Sequence, residues 1–252
     1  MRYFLEVCYV GTAFHGSQIQ GEIHTVQRTL NLALSTLLRR PVETFGASRT
    51  DEGVHALCNF YHFDEEEELH PQFRYKLNAI LPATVSVQHI YTSTKAKANA
   101  RFDALSRRYR YRIYSRKMPF LYERALFYPF PVDKTILQQT AAALMEYRDF
   151  ETFSKRNNQS HTYLCTIYQS YWEEVGDELH YVVEANRFLR GMVRGLVGTQ
   201  LQAGRGKITP GDFRRIIEAR DCTLADFSVA GHGLYLEAVN YPEGYLKEIL
   251  VR

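Results

Sequence analysis

The stretch Ser106 to Tyr114, SRRYRYRIY, limits the possible folds more than any other part of the chain. Its arginines and tyrosines alternate with a period of two, which predicts a strand from Arg107 to Tyr114 and excludes an amphipathic helix. Arg107, Tyr109, Tyr111 and Ile113 fall on one face; Arg108, Arg110, Arg112 and Tyr114 fall on the other. A strand with one aromatic and one cationic face needs partner strands beside it and a cover over its rings, so the chain must build a sheet.

Other segments supply the partners and the cover. Arg2 to Tyr9 alternates as a strand, and Val42 to Phe45, Leu57 to Phe63 and Val85 to Thr92 read as three more. From Thr25, which can cap a helix, Val26, Leu30, Ala33, Leu34, Leu37 and Leu38 repeat at helical spacing until Pro41. Pro71 to Ile80 reads as a second helix. Asp133 caps a third running to about Tyr147, Leu164 to Glu174 forms a hairpin with Glu178 to Ala185 across Gly176-Asp177, and Phe188 to Gln202 is again helical. Thr209-Pro210 opens a short helix to about Arg220, and Leu234 to Val239 ends the fold as a strand. The expected class is α/β of the α+β kind. Two lobes of mixed, mainly antiparallel sheet carry helices on one face, with an active-site cleft between them. A boundary near residue 103 gives an N-terminal lobe, 1–103, and a C-terminal lobe, 104–252.

Composition narrows the function classes. The chain has 252 residues, 45% hydrophobic and 23% charged, as an ordered protein of one or two domains does. No apolar run approaches the roughly 20 residues that cross a bilayer, and MRYFLEVCYV reads as a strand rather than a signal peptide, so a cytoplasmic protein without membrane association is expected. Cys8, Cys58, Cys165 and Cys222 are scattered and form no C-x-x-C pair, so neither a zinc knuckle nor a disulfide framework is indicated. The net charge of +3 does not by itself announce a nucleic-acid partner. The distribution says more, because arginines along one strand beside aromatic rings suit splayed or single-stranded RNA.

The loop GASRTDEGVHA, Gly46 to Ala56, is the other place where chemistry can be built. Arg49 and Asp51 are two apart and can point to the same side, so the guanidinium can hold the carboxylate ionised for work as nucleophile or base. A surface ion pair beside a turn at Gly53 explains the same spacing. His55 and His62 lack metal-ligand spacing, and AGRGK lacks the phosphate-loop pattern, so no metal and no nucleotide cofactor is expected. Glu52 beside Asp51 makes a poor carboxylate pair for hydrolysis, since neighbours in an extended segment point apart.

Together GASRTDEGVHA, ARFDALSRRYRYRIY, NRFLRGMVRGLVG and GLYLEAVNYP, in that order, resemble the tRNA pseudouridine synthase A family across essentially the whole chain. The resemblance implies a cofactor-independent isomerase that converts uridine to pseudouridine at positions 38 to 40 of the tRNA anticodon arm and works as a homodimer. It also implies that Asp51 is the essential aspartate, attacking ribose C1′ or removing the C2′ proton. Arg49 and Arg194 hold that carboxylate aligned, and Tyr109 stacks on the target base, with Arg108 and Arg110 beside it on the substrate. The family pattern is broken at Val10, where an aspartate is usual, at Ser17, where tryptophan is usual, and at Ser48, where glycine is usual. The alternative is a catalytically silent tRNA-binding protein derived from the synthase.

Overall fold

Tyr3, Leu5, Val7 and Tyr9 are buried on one face of β1 (Arg2–Tyr9), and Phe4 is buried on the other, where Glu6 and Cys8 are half-buried. This strand is central to the first of two units in the computed structural model, which describes residues 1–155 and 162–249. The units are Met1–Leu105 together with Leu236–Arg252, and Ser106–Tyr235. The described residues form ten strands and five α-helices, a mixed α/β fold whose strand pairs are mainly antiparallel.

In the first unit β1 is followed by α1 (Val26–Leu38), β2 (Phe45–Gly46), β3 (His55–Asp64), α2 (Phe73–Ile80) and β4 (Val85–Ser93). Thr25 caps α1 by accepting from the Arg28 amide at 3.3 Å, and Val26, Leu30, Ala33 and Leu34 are its buried stripe. α1 packs on α2, and α2 packs on β4. β1 pairs antiparallel with β3 on one side and β4 on the other.

The second unit begins with β5 (Ser106–Tyr114) and continues through β6 (Leu126–Phe127), α3 (Lys134–Ala143), β7 (Ile167–Val175), β8 (Glu178–Ala185), α4 (Met192–Gly204) and α5 (Pro210–Glu218). β8 pairs antiparallel with both β5 and β7, and β6 adds two parallel residues to β5. α3 packs against β7, α4 and α5. Thr209 and Asp212 form a reciprocal capping box that opens α5. Unit one is completed by β9 (Leu234–Asn240), most of which lies beyond the boundary, and by β10 (Leu246–Glu248), giving the strand order β10-β4-β1-β3-β9.

Several expected elements differ in extent, each for a local reason. The strand expected over 42–45 shrinks to Phe45–Gly46 because the Val42 amide donates to Ser35 Oγ and the Thr44 amide to Asn31 Oδ1. Those donors serve α1 side chains and are lost to a ladder. The helix expected from Phe188 begins at Met192, because Gly191 takes a left-handed φ of 74°. α3 stops at Ala143 and tightens into a 3₁₀ turn, Leu144–Glu146. β10 extends the chain's strands beyond Val239, where no strand was expected.

Candidate active site

The loop between β2 and β3 carries Arg49 and Asp51 on either side of Thr50, and Thr50 is fixed in every polar group. Its amide donates to Ser17 Oγ at 2.8 Å, its carbonyl accepts from the Ser17 amide at 3.0 Å, and its hydroxyl meets Tyr9 Oη at 2.9 Å. Asn59, a polar residue in the apolar run of β3, donates to Tyr9 Oη at 3.3 Å and to the Ser48 carbonyl at 3.0 Å. Burial pushes the Tyr9 and Tyr61 phenols above their usual range, so both remain donors. Every one of these groups is paired inside the protein, and a fully paired buried network is rigid.

The first loop is clamped to the same place. The Gly11 amide donates to His55 Nδ1 at 3.1 Å, and a Cβ on Gly11 would lie 2.0 Å from the Val54 carbonyl oxygen. Only glycine allows that approach. Gly53 adopts φ 77°, and the Val54 amide closes the turn onto the Asp51 carbonyl at 3.2 Å. With Thr50 pointing inward, its neighbours point outward: Arg49 is exposed and Asp51 half-buried. Among the described residues, neither side chain forms a hydrogen bond or ion pair, with each other or with any third group. Glu52 instead pairs with His15 at 3.1 Å in solvent.

The three departures from the family pattern have structural readings. Ser17 is the residue that grips Thr50 through backbone and hydroxyl. Ser48 avoids positive φ, so a Cβ is accommodated there without backbone strain, and its hydroxyl is buried without a hydrogen-bond partner. The Val10 amide donates to the Thr84 carbonyl at 2.9 Å, anchoring the start of the loop.

In the second unit, β5 follows its predicted alternation. Tyr109 is 7% exposed and meets Phe188 edge-on at 5.1 Å, while Tyr111 donates its hydroxyl to the Ala230 carbonyl at 2.7 Å. Arg108 and Arg110 stand on the opposite face from Tyr109, among partners of β7 and β8. Arg108 donates to Gln169 and Tyr171, each at 2.9 Å, and lies 3.8 Å from Glu184. Arg110 pairs with Glu173 and contacts His180 at 3.1 Å. Arg112 makes a two-pronged pair with Glu178 at 2.8 and 2.7 Å. Burial pushes the Glu178 carboxyl up, but hydrogen bonds from Arg112 and His180 outweigh it and hold it below the usual range. This face is a cross-strand ladder of neutralised arginines.

Arg194, on the first turn of α4, is held differently. Its Nε donates to the Val229 carbonyl at 2.8 Å and Nη2 to the Phe227 carbonyl at 3.3 Å. The glycines of GMVRGLVG explain why those carbonyls are in reach: a Cβ on Gly198 would sit 2.2 Å from the Asp226 carbonyl oxygen, so only glycine lets the 226–229 segment lie against α4. Arg194 is half-buried and has no carboxylate partner among the described residues.

His55 and His62, weighed above as metal ligands, both accept backbone amides. His62 Nδ1 takes the Ala100 amide at 3.2 Å, and burial, then the neighbouring Arg2, lowers its pKa to about 4. Tyr9, Ser17, Thr50 and Asn59 form a unit that is scattered along the chain. Their one visible signal was a lone asparagine among the aromatics of LCNFYHF.

Comparison with known proteins identifies the family. The family model described as tRNA pseudouridine synthase matches residues 141–242. The chain is 42% identical over 244 residues to tRNA pseudouridine synthase A of Parabacteroides distasonis, covering 96% of each chain. It is 42% identical over 251 residues to the protein of that name from Bacteroides thetaiotaomicron, covering 98% of this chain and 93% of the other. Against the Staphylococcus aureus MRSA252 protein it is 31% identical over 249 residues, covering 98% and 94%. With such similarity running almost end to end, the chain belongs to the tRNA pseudouridine synthase A family.

Proposed function

We propose that the protein isomerises uridine to pseudouridine in the anticodon arm of tRNA, without a cofactor and as a homodimer, with Asp51 acting on the target ribose. The observation that carries this reading is a half-buried carboxylate, without a partner among the described residues, on a loop whose neighbouring residue is locked at every polar atom. A surface ion pair would have spent that carboxylate on Arg49. Left unpaired on a rigid support, it is available to a reacting group.

Either route uses the same ion. As nucleophile, the Asp51 carboxylate forms a bond to C1′ while the N1–C1′ bond breaks and the uracil leaves as its anion. The uracil turns, C5 bonds to C1′ and the carboxylate is released; the C5 proton is then lost and N1 gains one. As base, Asp51 takes the C2′ proton while the N1–C1′ bond breaks and the uracil leaves as its anion; once C5 has bonded to C1′ the proton returns to C2′, and the C5 proton is lost and N1 gains one as before. Both develop negative charge on the departing base, which nearby cations stabilise. Arg49 supplies one cation, and the resemblance assigns the same carboxylate a second, Arg194. Tyr109 gives the turned base an aromatic partner, since a base must leave its stack before it can rotate.

The test is release of tritium from C5-labelled uridine in tRNA by the purified protein with nothing added, beside Asp51→Ala. We expect release by the wild type alone, with tRNA still bound by the variant. Binding without release by either protein establishes the silent binder instead.

A further inference from the structure

Beside the Arg49 loop, within the first unit, lies a pocket of about 160 Å³. That is well under the roughly 300 to 1,000 Å³ of sites for drug-sized ligands, so it holds one planar group and no larger cofactor. Its walls contain arginines, amides, hydroxyls and aromatic rings, and no acid.

Some of the polar groups in its walls have hydrogen-bonding capacity left over among the described residues. Ser48 Oγ is buried and has no hydrogen-bond partner. The Gln18 carboxamide is exposed and, like the Arg49 guanidinium, makes no hydrogen bond among the described residues. Asn99 uses its Oδ1 to accept the Arg101 and Phe102 amides at 2.9 and 3.2 Å, which leaves its Nδ2 donors over.

The rings are held out rigidly. Phe102 is 77% exposed, yet the turn that carries it is tied down: Arg2 donates to the Ala98 carbonyl at 2.5 Å, Tyr241 to the Ala100 carbonyl at 2.6 Å, and Asp103 accepts from the Asn99 amide at 2.7 Å. Phe45 is backed by the His62 ring at 5.3 Å and is half exposed on its other side. A phenylalanine this exposed on a fixed turn has no role in the core of the unit.

We propose that this pocket is a subsite for one unstacked nucleobase of the substrate RNA, next in sequence or next but one to the target uridine. The base lies against Phe102 and Phe45, the Ser48 hydroxyl and the Gln18 and Asn99 amides read its edge, and Arg49 meets the adjoining phosphate. The assignment rests on the proposed reaction at Asp51. Two residues of extended chain span at most about 7 Å, so Arg49 can serve this pocket while Asp51 serves the target. Amides and hydroxyls both donate and accept, and a base edge displays both kinds of group.

The experiment measures kcat/KM for pseudouridine formation on tRNA, and on tRNAs made abasic at one of the two nucleotides to either side of the target. One abasic position should lower the wild-type value about tenfold, mainly through KM, the range expected for loss of one base stack. Phe102→Ala should show the same loss on intact tRNA and no further loss on that abasic RNA. Ser48→Ala, which removes an unpaired hydroxyl, should lose a few-fold on intact tRNA and nothing on the same abasic RNA. Melting temperatures should match the wild type, since Phe102 is on the surface. Phe102→Ala equal to wild type on intact tRNA, or a loss that persists on every abasic RNA, overturns the subsite while leaving the isomerase standing. No product from the wild type overturns the reaction and the subsite with it.

Discussion

The arginines of β5 and the arginines at the Asp51 loop and on α4 are the same side chain put to opposite uses. Arg108, Arg110 and Arg112 meet Glu184, Glu173 and Glu178 across strands, so that face is close to electrically balanced. Arg49 and Arg194 meet no carboxylate among the described residues. Sequence alternation makes the β5 row look like a phosphate track, yet its charge is spent within the sheet. Arg49, marked in the sequence by its spacing from Asp51, and Arg194, in NRFLRGMVRGLVG, keep theirs uncompensated by any carboxylate among the described residues. A basic run therefore reports where arginines are, and the acids on neighbouring strands decide where positive potential remains.

The sharpest way to break this division is to remove a member of each set. Arg49→Ala and Arg194→Ala should each lower kcat/KM at least about a hundredfold, the scale of losing one charge-stabilising donor; the melting temperature should be nearly unchanged for Arg49→Ala and lowered for Arg194→Ala, which strands the Val229 and Phe227 carbonyls. A comparable loss of activity in Arg112→Met at unchanged stability would erase the distinction.

A third treatment of positive charge is refusal, and it gives the next largest effect. His62 is held neutral by burial and by Arg2, with its pKa lowered from 6.5 to about 4. The unfolded chain takes up that proton near pH 6.5, while the folded chain resists it down to about pH 4. The contribution of His62 to stability should therefore be level above pH 6.5 and fall by about 3 kcal/mol between pH 6.5 and 4. Denaturant titrations across that range would show it, and His62→Gln should flatten that contribution.

Arg112→Met should cost about 2 kcal/mol by stranding the Glu178 carboxylate in a half-buried site, with activity at 25 °C within a few-fold of wild type. The smallest effect is in salt dependence. Arg49→Ala should reduce the slope of log affinity for tRNA against log salt by about one, and Arg110→Ala should leave it unchanged. A reduced slope for Arg110→Ala would place that arginine on the RNA despite its pairing with Glu173.

Much of the frame was legible. Thr25 and the stripe from Val26 to Leu34 place α1, and Thr209-Pro210 with Asp212 places α5, because caps and helical periodicity are local. The extent of β2 was hidden, since side chains of the preceding helix, Asn31 and Ser35, claim backbone donors of the segment that leads into it. At the site, Arg49 and Asp51 were visible as residues, but their lack of mutual pairing was not. That follows from Thr50 being drawn inward by Tyr9 and Ser17, contacts of 41 and 33 residues' separation. The pairing of Arg108 and Arg110 was likewise hidden, because it depends on the register of β5, β8 and β7.

The clamp on Thr50 also sets how the Asp51 loop moves. Most surface loops exchange their amide protons with solvent through small local openings. Here the Thr50 amide is bonded to Ser17 Oγ, and the Ser17 amide to the Thr50 carbonyl, beneath a buried tyrosine of β1. Exposing either amide means separating the first loop from the second and withdrawing Tyr9 from its partners. These two protons should thus exchange with the slow set of β1, in the same cooperative unit as the sheet. The aspartate then rides on a segment that opens only when the core opens.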